Sequence, residues 1–93
     1  MKDCELWEKK RGLARLLNKG DYQESINYLM NFINVLDIQF CEIFISGFDI
    51  TKAKLLPKNL IQKIDSFSEN FTDFRSVIRW GFMKGELDVD IST

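Results

Sequence analysis

The sequence predicts a single all-α domain, a small bundle of about five helices. Apolar residues recur at steps of three and four along separate segments, which is the spacing of one face of an α-helix. Residues that commonly begin or end helices, Gly20, Asp21 and Pro57 among them, stand at the borders of these segments. The 93 residues contain one proline and no low-complexity tract, so no flexible linker is expected and one domain should cover residues 1–93.

The first two helices are predicted on either side of Gly20. The first covers residues 4–18 with Asp3 as its N-cap, and Gly20 follows it as the glycine that ends many helices. Asp21 and Glu24 have the spacing of a capping box at the start of the second helix, whose apolar stripe extends over about four turns. The residues expected to face the core are Leu6, Trp7, Leu13, Ala14, Leu16 and Leu17, then Tyr22, Ile26, Leu29, Ile33 and Leu36.

Residues 38–48 fit two structures. As a strand, the segment shows poor alternation of apolar and polar residues. As a helix capped by Asp37 and ended at 46–47, it places its polar residues on one narrow stripe and the others inside. We favour the helix and keep the strand as the alternative. The polar stripe would consist of Gln39, Glu42 and Ser46.

Two further helices and a tail complete the prediction. Pro57 suits the first turn of a fourth helix, and Thr72 or Asp73 can cap a fifth helix, which Gly85 would end. Residues 86–91 alternate strictly between acidic and apolar types, which indicates either an added edge strand or a frayed end. The residues expected to face the core are Leu60, Ile64, Phe67 and Phe71, then Phe74, Val77, Ile78 and Phe82.

The composition argues against catalysis and against bound cofactors. No histidine is present, which removes the commonest general base and metal ligand near neutral pH. The glycines are scattered singly, so no phosphate-binding loop is predicted. Cys41 lies in an apolar stretch without a neighbouring base, which favours a structural thiol over a nucleophile. We therefore expect no enzyme activity, no cofactor and no metal site.

The start of the chain and its cysteines bear on cellular location, and its net charge bears on nucleic-acid binding. The charged start lacks the apolar stretch of a signal peptide, and no run approaches the ~18–20 apolar residues of a membrane span. Cys4 and Cys41 lie far apart without a C-x-x-C pattern, which favours a reduced, cytoplasmic location. The net charge of −1 argues against general nucleic-acid binding.

Charge is distributed in blocks along the chain. Residues 20–51 carry five acidic residues and no basic one, whereas residues 1–19 carry six basic against three acidic residues and residues 52–63 carry four lysines and no acid. Either the basic helices neutralise the acidic block within the fold, or the block forms a surface that docks a basic protein. The acidic residues of the block are Asp21, Glu24, Asp37, Glu42 and Asp49.

Two aromatic residues are candidate anchors for such a surface. Tyr22 begins the second helix, within the acidic block. Trp80 is the other candidate, because Val77, Ile78 and Phe82 are expected to face the core and leave the tryptophan free to project elsewhere. Tryptophan is enriched at binding hot spots. The alternative is that Trp80 covers the end of the bundle.

A short pattern resembles a known group of proteins. Residues 16–22, with the sequence LLNKGDY, open a helix and are followed by FDI at 48–50 and by the proline-started helix. This arrangement, which covers residues 16–67, resembles small helical immunity proteins that protect bacteria from polymorphic toxins, the MafI-like type among them. The resemblance implies a tight binder that covers the active site of a toxin, often a basic nuclease, with acidic side chains. It transfers no individual binding residue.

The sequence therefore predicts a non-enzymatic protein-binding module, with immunity-like or antitoxin-like inhibition of a basic toxin as the preferred function. One alternative is a homodimer or subunit that self-associates through residues 38–48. Another is a nucleic-acid-associated regulator that uses its basic first helix, although Asp21 and Glu24 stand where a helix-turn-helix protein would contact bases. The predicted contact residues are Asp21, Glu24, Asp37, Glu42 and Asp49, with Tyr22 and Trp80 as anchors.

Overall fold

The computed structural model describes residues 3–53 and 56–87, and over these ranges the chain is all-α, as predicted. The five helices are α1 (Asp3–Lys19), α2 (Tyr22–Met30), α3 (Ile38–Gly47), α4 (Lys58–Phe67) and α5 (Phe74–Leu87). A single 3₁₀ turn follows α2 at Ile33–Val35, and another follows α4 at Ser68–Asn70. The described ranges contain no strand. Most of the tail at 86–91, for which a strand was one possibility, lies outside them, and its first two residues end α5.

Helix α3 is the centre of the bundle, packed against α1, α4 and α5. The side chains of Phe40, Phe44 and Ile45 have no exposed surface. The Asp37 carboxylate accepts a hydrogen bond of 2.9 Å from the backbone N–H of Phe40, so the predicted helix and its N-cap are confirmed. The strand alternative is wrong. A helix enclosed on several sides needs apolar residues at most positions, which obscures its periodicity in the sequence.

The glycine between α1 and α2 behaves as predicted. Gly20 has a φ of +78°, the left-handed conformation that glycine adopts without strain. The N–H groups of Gly20 and Asp21 donate to the carbonyl oxygens of Leu17 and Leu16, at 3.1 and 3.0 Å, which is the hydrogen-bond pattern of a Schellman motif. Helix α1 therefore ends in a fixed turn that sets the direction of α2.

Details of the first two helices differ from the prediction. Asp3 lies within α1 rather than before it. Trp7 is 54% exposed, because the buried face of α1 follows Lys10, Leu13 and Leu17 and leaves the tryptophan at its edge. Gly12 has a packing role: a Cβ atom there would lie 3.0 Å from Cζ of Tyr28, so the glycine leaves room for the end of the Tyr28 side chain against α1.

Helix α2 is shorter than predicted and lacks the predicted capping box. It ends at Met30, after which the 3₁₀ turn carries the stripe onward and buries Leu36. Asp21 occupies the N-cap position, but its side chain makes no capping hydrogen bond. The reason is local: the Asp21 backbone has φ −82° and ψ 67°, which is outside the extended conformation typical of a capping residue.

Helix α4 follows its predicted pattern and α5 does not. Pro57 stands immediately before α4, and Leu60 and Ile64 are buried, while Phe67 and Phe71 are half-buried against the core. Helix α5 continues past Gly85 to Leu87. The residues predicted to face the core from α5 point outward instead. This rotation creates the most prominent surface feature of the described structure.

Candidate protein-binding surfaces

Helix α5 has apolar residues on two opposite faces. The inner face buries Ser76, Trp80, Met83 and Leu87, at steps of four, three and four. The predicted core residues have the same kind of spacing but face away from the core. Their exposed fractions are 73% for Phe74, 44% for Val77, 58% for Ile78 and 58% for Phe82. We call these four side chains the outer face of α5.

Trp80 is part of the core and not a surface anchor. Its side chain is 1% exposed, and its Nε1–H donates to Oδ1 of Asp65 on α4 at 2.9 Å. Lys84 donates to the same oxygen at 3.0 Å. Burial by itself would raise the pKa of Asp65, but the hydrogen bonds from Trp80 and Lys84 outweigh it and hold the pKa below its ordinary value. The prediction of an exposed Trp80 is wrong, because the indole is buried and the partly exposed carboxylate of Asp65 accepts its N–H.

Side chains of α3 and α5 also form hydrogen bonds with backbone groups at each other's ends. Arg79 on α5 donates from Nε to the carbonyl oxygen of Ile45 at 2.7 Å and from Nη2 to that of Phe48 at 2.6 Å, at the C-terminal end of α3. Glu42 on α3 accepts from the backbone N–H groups of Thr72 and Asp73, at 3.1 and 2.9 Å, at the start of α5. A cation at a helix C-terminus and an anion at a helix N-terminus are both favourable. These contacts, with Trp80, fix the rotation of α5.

A groove and a cleft lie side by side along α5. The groove has a volume of about 470 Å³ and is lined by Arg75, Ile78, Arg79 and Phe82. The cleft has a volume of about 370 Å³, and its lining is polar: Ser46, Asp73, Arg75, Ser76 and Arg79. Arg75 and Arg79 line both. The outer face of α5 is thus bordered on one side by two guanidinium groups.

Two of the five predicted acidic contacts are used within the fold. Asp37 forms an ion pair of 2.9 Å with Lys10, a lysine that is 6% exposed and lies over the ring of Phe40. Burial raises the pKa of Asp37, but the hydrogen bonds from Lys10 and from the Phe40 N–H, with the charge of Lys10, lower it overall. Glu42 holds the start of α5. Asp37 is therefore neutralised within the fold by the basic first helix, whereas Glu42 is used within the fold as an acceptor for backbone N–H groups and forms no ion pair among the described residues.

The other three acidic residues are exposed or partly exposed, and we call them the acidic patch: Asp21, Glu24 and Asp49. Asp21 and Glu24 form no ion pair and accept no side-chain hydrogen bond within residues 3–53 and 56–87. Asp49 accepts hydrogen bonds from the side chain and the backbone N–H of Thr51, at 2.6 and 2.9 Å, which lower its pKa.

Tyr22 connects the two parts of the acidic patch. Its half-buried ring makes an edge-on contact with the ring of Phe48, with 5.5 Å between centroids. Because Tyr22 follows Asp21 and Phe48 precedes Asp49, this contact places the start of α2 beside the end of α3. Tyr22 is therefore more a support of the patch than a projecting anchor.

The two cysteines are free thiols in different surroundings. Cys4 is exposed and Cys41 is buried. Burial, followed by the charge of Asp37, raises the pKa of the Cys41 thiol to about 12, so it stays protonated at neutral pH. In the described part of the chain, no three potential metal ligands lie together, and no helix is long and apolar enough to cross a membrane.

The sequence predicts the apolar stripe that forms the outer face of α5 but assigns it to the core. Two stripes with the same spacing occupy this helix, so periodicity could not choose between them. The signal that could have chosen is polar: the carboxylate of Asp65 can accept a hydrogen bond from the indole N–H of Trp80, and a buried tryptophan usually has such a partner. Pairing Trp80 with Asp65 required knowing how α4 packs on α5.

Comparison with known proteins leaves the chain's own surfaces as the basis for a functional assignment. The chain matches no protein-family model, no curated protein and no solved structure. The similarity to small helical immunity proteins therefore stays a prediction from a short sequence pattern.

Proposed function

We propose that this chain is a non-enzymatic protein-binding module. The observation that carries the proposal is the outer face of α5. Its four side chains expose on the order of 400 Å² of apolar surface, which is within the ~300–600 Å² of the largest apolar patch on a typical monomer, a patch that is often functional. A helix that is apolar on opposite faces is normally covered on both. The inner face is covered by the core, and a partner protein would cover the outer one.

Within this class, we propose an immunity-like or antitoxin-like inhibitor of a basic toxin. The acidic patch supports this proposal, as does the resemblance to immunity proteins. Exposed carboxylates attract a basic partner and speed association, whereas buried apolar contacts mainly slow dissociation. The two surfaces would therefore have different parts in one complex: the acidic patch would steer the partner, and α5 would retain it.

The two alternative functions have less support. Self-association through residues 38–48 needs that segment at the surface, but it forms α3 and the turn after it. The side chains of Phe40, Cys41, Phe44, Ile45 and Phe48 are at most 1% exposed. A nucleic-acid regulator would use the basic residues of its first helix for phosphates, but one of them, Lys10, is buried and paired with Asp37.

The protein encoded beside this chain's gene is the first partner to test. We expect the two purified proteins to co-elute in gel filtration, and co-expression to protect cells if the neighbour is toxic. The double variant Ile78→Asp, Phe82→Ser should weaken binding at least tenfold. Val35→Asp is the matched control, since Val35 is 40% exposed on a different element. Unchanged binding of a folded double variant would contradict the proposal.

A further inference from the structure

We infer that the outer face of α5 takes an apolar segment with acidic edges from another protein, rather than a second copy of this chain. This inference rests on the proposed function and adds the chemistry of the segment that docks. The inference concerns only the residues of the segment that docks on α5. The overall basic charge proposed for the partner concerns the acidic patch instead.

Positive charge borders the groove on one side. Arg75 has a side chain that is 92% exposed, and its guanidinium forms a loose ion pair, with Nε 3.7 Å from Oδ1 of Asp73, an oxygen that already accepts a hydrogen bond of 2.9 Å from the Arg75 backbone N–H. Arg79 donates from Nε and Nη2 to two carbonyl oxygens; its charge acts on Asp49, but it forms no ion pair with a carboxylate of the described residues. A carboxylate placed next to an apolar side chain in the groove would meet both guanidinium groups. Such charge-assisted contacts are the stronger class of hydrogen bond.

The charges along α5 disfavour an antiparallel pair of copies. The helical repeat places Arg75 and Arg79 on one flank of the outer face and Lys84 on the other. An antiparallel α5–α5 pair brings like flanks together, and a parallel pair brings opposite flanks together. The antiparallel arrangement sets Arg75 and Arg79 of one copy against the same residues of the other, which disfavours this pairing. Glu86 lies beyond Phe82, so superimposing the apolar stripes does not bring it opposite Arg75.

The area that two copies could bury also disfavours a dimer. Two copies of the outer face would bury on the order of 800 Å² of apolar side chain, against the ~1,200 Å² at the lower end of stable interfaces. A different protein is not limited to this face. Phe48 touches Tyr22 with its ring and Arg79 with its carbonyl group, so the groove and the acidic patch adjoin. One partner can extend from one to the other and bury more surface.

The local shape of α5 suits a helical segment. A side chain placed at Gly81 or Gly85 would meet no atom within 4 Å, so the surface beside Ile78 and Phe82 is low and open. A helix laid against such a surface presents apolar side chains at steps of three and four. Acidic residues on one edge of that helix would face Arg75 and Arg79.

Two labelled helical peptides test the inference. Both carry leucines at four positions spaced i, i+3, i+4 and i+7, and they differ only in flanking residues, glutamate in one and lysine in the other. Fluorescence anisotropy with the full chain should show the glutamate peptide binding at least about tenfold tighter. Arg75→Glu should remove most of this preference, and Ile78→Asp should weaken both peptides. Lys58→Glu is a charge-matched control on α4, where Lys58 is exposed.

The other outcomes overturn the inference in distinguishable ways. If both peptides bind equally and Ile78→Asp abolishes binding, α5 is a docking face but the partner's acidic edge is wrong. If neither binds, or if binding ignores Ile78→Asp, the inference fails, while the proposed function is judged separately with the neighbouring gene product. If sedimentation shows a dimer that Ile78→Asp dissociates, the occupant is a second copy.

Discussion

At the scale of single residues, the hydrogen bond from Trp80 to Asp65 allows the indole to be buried and so helps to fix how α5 sits on the bundle. Trp80 could not face solvent without losing its hydrogen bond to Asp65, and that oxygen would then keep only Lys84 as a donor. Buried polar groups that lose a partner cost about 1–3 kcal/mol, which is large against the net stability of a small domain. The indole therefore turns inward, and the apolar residues on the opposite side of α5 are left outside.

Replacing Trp80 by phenylalanine tests this contact. The ring stays apolar, but the N–H donor and some packing are lost, so the free energy of unfolding should fall by about 2–4 kcal/mol. Urea unfolding of the purified chain measures the change. Trp7→Phe is the control, because Trp7 is 54% exposed and should lose less than about 0.5 kcal/mol. Equal effects at the two positions would contradict the account of α5.

Acid stability gives a second prediction at this scale. The pKa values of Asp37 and Asp65 are both lowered in the folded chain. A carboxyl group with a lower pKa when folded stabilises the fold above its unfolded pKa of about 3.9, and this contribution is lost as pH falls through the folded pKa. We expect stability to decline below about pH 4. Asp65→Asn should flatten the decline, as measured by urea unfolding at several pH values.

At the scale of elements, caps were predictable where they are local. Asp37 and Gly20 act within a few residues of themselves, and both predictions are confirmed. The bonds from Glu42 to the start of α5 and from Arg79 to the end of α3 join positions about 30 residues apart. No local pattern announces such pairs, so the rotation of α5 and the internal use of Glu42 could not be derived from spacing.

Glutamine substitutions separate the internal acidic residues from the exposed ones. Glu42→Gln should lower the free energy of unfolding by about 1 kcal/mol, since it weakens a charged cap. Glu24→Gln should change stability by only a few tenths of a kcal/mol. If the acidic patch meets a basic partner, Glu24→Gln should slow association at low salt, and the difference from the wild type should shrink as salt rises. Stopped-flow association kinetics and urea unfolding on the same variants give both quantities.

A stability loss at Glu24 as large as that at Glu42, with association unchanged at every salt concentration, would contradict this division. The acidic block would then be neutralised within the fold throughout. The steering role proposed for the acidic patch would be lost, and the outer face of α5 would stand alone as the docking surface.

At the scale of the whole molecule, the sequence predicted the fold class and the number of helices but divided core from surface wrongly on one helix. The helix count follows from periodicity and breakers such as Gly20 and Pro57, which act locally. The division of α5 into a core face and a surface face depends on which of its two apolar stripes packs better against α3 and α4. The same ambiguity hid the candidate site: the prediction looked for an exposed tryptophan, while the exposed surface consists of the residues assigned to the core.

The proposed function depends on one property of the isolated chain: the outer face of α5 adds nothing to its stability. The free energy of unfolding in urea tests it without a partner. Ile78→Ser combined with Phe82→Ser should change it by less than about 0.5 kcal/mol. Met83→Ala, on the inner face of the same helix, should lower it by about 2–5 kcal/mol. A double variant as unstable as Met83→Ala would show that the outer face is already covered within the chain, and would contradict the account.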